Sequence, residues 1–145
     1  MTQRHRDWRA RLNTFLANNA VRAFQWGGWD CCIGLAAGAV QAVRGDEADF
    51  ARGWRGTYRG KIGAFKQLKK RAGVDTPSAL MTQLFGAPRP PVFARTGDLV
   101  SFQGCIGVMS GADGIFIGCE MMGDALNREG LVRVPRAELE ACWHV

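Results

Sequence analysis

The chain has 145 residues and a mass of 15.9 kDa, enough for one domain with a sizeable core and too few for two ordinary ones. Hydrophobic residues make up 47% and charged residues 22%, which excludes a disordered or collagen-like chain. The net charge of +6 is uneven: residues 1–71 carry 14 Lys and Arg against 5 Asp and Glu, and residues 72–145 carry 5 against 8.

Residues 3–18 place Trp8, Leu12, Phe15 and Leu16 on one stripe, with Arg4, Arg6, Arg9 and Arg11 largely elsewhere, and predict an amphipathic helix. The aromatic, glycine-broken stretch Phe24–Trp29 ends at Asp30, an N-cap residue before the small-residue run Cys31–Val43. That run predicts a buried central helix, with Gly45 as its stop. Trp54 and Tyr58 follow among glycines and arginines, then Lys61–Ala72 reads as a basic helix ended by Gly73. Thr76 and Pro77 stand at N-cap and N1 of a short helix reaching Phe85, and Pro88, Pro90 and Pro91 break the chain.

Beyond the prolines the period changes. Leu99–Phe102, Ile106–Met109, Ile115–Cys119 and Leu131–Val134 predict short antiparallel strands separated by glycines, with one helical turn from Pro135 to Leu139 and a last strand over Cys142–Val145. The expected class is α+β: one domain over 1–145, a mainly helical half (1–87) packed on an antiparallel sheet half (97–145). The longest nearly apolar run is 13 residues and contains a Gln, short of the roughly 18–20 needed to cross a bilayer, so no membrane partner is expected. No apolar signal segment follows the basic N-terminal stretch, which implies synthesis in a cytoplasm. Five cysteines, without C-x-x-C spacing, read as reduced thiols.

The segment Phe24-Gln25-Trp26-Gly27-Gly28-Trp29-Asp30-Cys31 resembles the Tyr-x-Trp-Gly-Gly…Asp-Cys string of NlpC-type, papain-like cell-wall peptidases, whose cysteine is the nucleophile. Gly97-Asp98-Leu99-Val100-Ser101-Phe102 is similar to their Gly-Asp-Leu-Val-Phe-Phe strand, and Cys105-Ile106-Gly107-Val108 falls where they carry His-Val-Gly-Ile. The chain also resembles a family of small proteins encoded among the tail genes of tailed phages, with its Gly130-Leu131…Pro135…Cys142-Trp143 ending. The resemblance covers roughly residues 20–120 and implies a papain-like fold with Cys31 at the nucleophile position.

It also implies a degenerate site. Cys105 occupies the position of the catalytic histidine, and a thiol does not shuttle protons as imidazole does near pH 7. The residue that orients that histidine falls near Ile117 or Gly118, and the oxyanion tyrosine falls at Phe24, so neither role is filled. Phe24, Trp26, Asp30, Ile117 and Gly118 are then the lining of a vestigial site. The two histidines, His5 and His144, lie at the ends of the chain. Cys31 reads either as a nucleophile or as a small buried hydrophobe at a retained helix start. A soft-metal site on Cys31, Cys105 and Cys119 lacks an evident fourth ligand, and no cofactor is expected. Trp26, Trp29, Trp54 and Tyr58 could line a glycan or peptide groove or simply pack.

Two functions follow from this reading. The first is a structural or assembly component of a phage or prophage tail tip, made in the host cytoplasm and carried in the virion tail, with other tail-tip or hub proteins as partners. The second is a peptidoglycan endopeptidase using Cys31, opening the cell wall during infection. The basic half offers Arg4, Arg9, Arg11, Lys66, Lys69, Lys70 and Arg71 as an interface to protein or cell wall. A third class, a cytoplasmic module binding a host protein or nucleic acid, stays open. No RNA-binding, zinc-finger or helix-turn-helix signature accompanies the charge, which argues against nucleic acid.

Overall fold

The computed structural model describes residues 3–119, 123 and 126–145. Helix α1 (Trp8–Asn18) uses the expected stripe: Leu12 is buried, and Trp8, Phe15 and Leu16 pack partly buried against the core. It starts later than the periodicity predicts because the preceding residues are drawn away, the His5 N–H donating to the Val43 carbonyl.

The central helix is buried along its length, with Leu35, Ala36, Ala37, Ala39 and Val43 at 0% exposure. It opens as a π-helical turn, Cys31–Ala36, before settling into α2 (Ala37–Arg44), and Gly45 (φ 111°) ends it. The small-residue run lets neighbours close in: a Cβ on Gly38 would lie 2.4 Å from the Phe15 ring. Residues 46–60 form a short 3-10 turn, Asp46–Ala48, and further turns. Asp49 steadies them, receiving both guanidinium ends of Arg55 at 2.8 and 3.0 Å and the Ala51 N–H at 3.1 Å. Helix α3 (Lys61–Ala72) ends in a left-handed Gly73, and α4 (Pro77–Phe85) begins with Thr76 accepting the Ala79 N–H. Both match the sequence boundaries.

Five antiparallel strands follow: β1 (Leu99–Phe102), β2 (Cys105–Ser110), β3 (Asp113–Ile117), β4 (Leu131–Pro135) and β5 (Ala141–Trp143), in the order β4-β3-β2-β1-β5. The α+β class holds, helices first and sheet second. Strand alternation gives the sheet two buried faces. Leu99, Ile106, Val108, Ile115, Ile117 and Trp143 join the helices in the larger core. Val100, Cys105, Met109, Phe116, Val132, Val134 and Cys142 form a second, smaller one.

The Gly97-Asp98 string ahead of β1 has a structural use. Asp98 is fully buried, and its carboxylate accepts from Arg4 (2.9 Å), the Arg95 N–H (2.8 Å) and guanidinium, and the Val145 N–H (3.0 Å). Arg4 also donates to the Thr96 and Val145 carbonyls. One carboxylate thus holds the first and last described segments together against the sheet. Among the described residues no helix is long and apolar enough to cross a membrane.

Candidate functional site

The two cores meet at the start of the central helix, where Phe24 and Cys31 pack against both. Asp30, 2% exposed, builds this corner. As N-cap its carboxylate accepts from the N–H groups of Cys32 (3.2 Å) and Ile33 (3.0 Å). It also accepts from the Gly27 N–H (3.0 Å) and the Tyr58 hydroxyl (2.5 Å), which fastens the aromatic stretch and the 46–60 segment to the helix start. Burial, then the Asp30 charge and hydrogen bond, push the Tyr58 hydroxyl well above its ordinary pKa.

The Asp30 carbonyl accepts from both Gly34 (3.2 Å) and Leu35 (3.0 Å), and the second of these bonds widens the first turn. Single π-turns inside helices are frequent at functional sites. Here the turn positions half-buried Cys31 where the cores join and turns Cys32 inward, with the two sulfurs 3.9 Å apart. The Cys32 thiol is held well above its ordinary pKa, first by its bond with Cys31 and then by burial.

Cys105 opens β2, the strand on which the Cys31 turn packs. Its thiol is hydrogen-bonded to Cys119 and buried, and these two effects, with the neighbouring Cys31, raise its pKa far above that of a free thiol. The β2–β3 register pairs Met109 with Gly114 and Ser110 with Asp113, and continued back along β2 it sets Cys105 across from Gly118. Cys119 lies past the end of β3, where the chain has left the strand's alternation, and joins Cys105 in the smaller core, while Ile117 points into the larger one. Gly118 is needed for close approach, since a Cβ there would lie 2.1 Å from the Arg128 carbonyl oxygen.

Phe24 stacks edge-on with Trp26 at 4.8 Å, and both line a groove of about 380 Å³ with Gly118, Cys119, Asn127 and Arg128. On the other side of Cys31, Trp26, Trp54, Tyr58 and Phe65 enclose a small apolar cavity of about 40 Å³. Trp29, by contrast, is core, packed on Phe15 and 2% exposed.

No imidazole reaches this corner. His5 pairs with Asp7, and His144 contacts the Phe93 carbonyl at 3.1 Å and Asp98 at 3.7 Å. Among the described residues no three His, Cys, Asp or Glu side chains are arranged to hold a metal ion. What the structure does gather is thiols: Cys31, Cys32, Cys105 and Cys119 sit around one corner. The part of Cys119 as partner of Cys105 was not readable, because the Gly111-Ala112 hairpin register, carried on by strand alternation, sends residue 119 to the face opposite Cys105, and only the end of β3 at Ile117 brings it back. The Tyr58–Asp30 bond spans 28 residues and left no local signal.

The basic residues divide. Arg4 is committed to Asp98 and two carbonyls, and Arg11 to the Ala42 and Gln41 carbonyls and Asp46. Arg9 stacks on Trp8 and remains exposed. On α3, Lys66 and Lys70 are exposed, Lys69 lies 3.6 Å from Asp75, and Arg71 bonds Gln67 and reaches over Trp54. Of the seven residues expected at an interface, Arg4 and Arg11 are thus tied into the fold, and the exposed ones are Arg9 and the four on α3.

No curated protein and no solved structure matches this chain. A family model does match, over residues 3–145, and so takes in the Asp30 corner, the Asp98 hub and the whole sheet. The chain belongs to the family described as the domain of unknown function DUF6950.

Proposed function

We propose that this protein is a structural or assembly component of a phage or prophage tail tip, built on an NlpC-type, papain-like fold that has lost its peptidase chemistry. The observation that carries the loss is the surroundings of Cys31. Where the resemblance expects a histidine stands Cys105, a buried thiol bonded to a second thiol, and both histidines of the chain are engaged elsewhere. A general base must titrate near the working pH, and a buried thiol with a strongly raised pKa does not. The papain-like reading is supported by a capped helix start bearing Cys31 against the strand of Cys105. The tail location rests on the resemblance, with α3 as the face offered to tail-tip or hub proteins.

Incubation of the purified protein with peptidoglycan should release no stem peptides above background. Release that disappears in Cys31→Ala would overturn the loss of activity, and absence of the protein from purified virions would overturn the tail assignment. The endopeptidase reading keeps one observation in its favour: Cys31 is the half-buried thiol, at a helix start and on the wall of a small apolar cavity. Iodoacetamide labelling separates the two, since labelling of Cys31 at pH 6 far faster than a small thiol would favour the enzyme.

A further inference from the structure

We propose that Cys105 and Cys119 are the two halves of a reversible disulfide, closed by exchange with a small-molecule disulfide when the chain meets an oxidising milieu. Three features carry this. The chain leaves β3 after Ile117 and brings Cys119 into the smaller core with Cys105, where the two thiols are in hydrogen-bond contact. Both lie in the smaller core, whose apolar wall of Phe116, Val132 and Val134 holds them in place. Cys119, though buried, lines the groove that Phe24 and Trp26 border, so it is the member of the pair on the solvent side.

The chemistry balances as two exchanges. The Cys119 thiolate attacks one sulfur of the external disulfide, forming a mixed disulfide and expelling one thiolate. The Cys105 thiolate then attacks the Cys119 sulfur, closing the bridge and expelling the second. The protein dithiol is oxidised by two electrons, the external disulfide is reduced to two thiols, and these take up the two protons released by the cysteines. Because burial and mutual bonding keep the Cys105 thiol protonated, closure is slow at neutral pH and quickens as pH rises. The inference stands whether or not the chain cleaves peptides.

The test equilibrates the full chain in oxidised and reduced glutathione at graded ratios. Free thiols are then blocked with N-ethylmaleimide in denaturant, and mass and peptide map are read. The reduced chain takes a label on each of its five cysteines. The oxidised chain is expected to take two fewer, with one bridge joining the Cys105 and Cys119 peptides, and to regain both labels on reduction. Cys105→Ser should stop at a glutathione adduct on Cys119. Retention of all labels in glutathione disulfide alone overturns the proposal. So does a bridge through Cys31 or Cys32, or loss of the bridge in Cys31→Ser.

Discussion

Asp30 gathers four donors on one buried carboxylate, and three are backbone N–H groups that no other side chain replaces. The fourth, the Tyr58 hydroxyl, can be removed without disturbing the cap. Tyr58→Phe should cost about 1.5–3 kcal/mol in urea denaturation, the range for a hydrogen bond to a charged group; an unchanged midpoint would show that the bond adds nothing. The same pair sets an alkaline limit. Folding raises the Tyr58 pKa, so its contribution is intact below the unfolded value of about 10 and is lost as pH climbs past it. Tyr58→Phe should flatten that limb of the stability profile. The cap at Asp30 was legible because it is local, an acidic residue directly before an apolar run. Its tyrosine partner was not, because only the folded chain brings the 46–60 segment to the helix start.

Helices α3 and α4 and strand β1 fell where the sequence put them because each carries its own boundary chemistry: Gly73 in the left-handed region, Thr76-Pro77 as cap and first turn, and Gly97 before β1. The π-turn at Cys31 had no such signature. It arises from packing, since Gly34 presses on the aromatic stretch, where an added Cβ would lie 2.8 Å from Trp29 Cα and 2.9 Å from the Gly28 carbonyl oxygen. Gly34→Ala should therefore destabilise the protein by about 1–3 kcal/mol, the usual range for overpacking, although alanine is the better helix former. A rise in melting temperature would refute this account of the turn. The 46–60 segment, with almost no regular structure, depends instead on Asp49. The Arg55 hydrogen bonds hold its carboxyl below the usual carboxylate range. Its stabilisation is present above the unfolded pKa of about 4 and fades as pH falls through the lower folded value. Asp49→Asn should lower stability at pH 7 and leave a shallower acid limb, read by thermal melts between pH 7 and 2.

Across the whole molecule, the order of helices before sheet was legible from the change of hydrophobic period after the prolines. The hub that closes it was not, because Arg4 and Asp98 are 94 residues apart. Arg4→Ala should cost about 3 kcal/mol, since removing one partner leaves a buried carboxylate short of its countercharge, and Arg95 compensates only in part. A change below about 0.5 kcal/mol, the size typical of a surface site, would mean that Asp98 does not rely on Arg4. The Arg4 Nε donates at 2.8 Å to the carbonyl of Val145, a contact between groups 141 residues apart. On the ribosome that clasp has to wait. Helix α1 can lie on the central helix as soon as Arg11 finds the Gln41 and Ala42 carbonyls, whereas Arg4 gains Thr96 and Asp98 only once the chain has been made as far as β1, and Val145 after that. The clasp is thus completed in stages, and the stage that ties Arg4 to Val145, beyond β5, cannot precede the making of that strand.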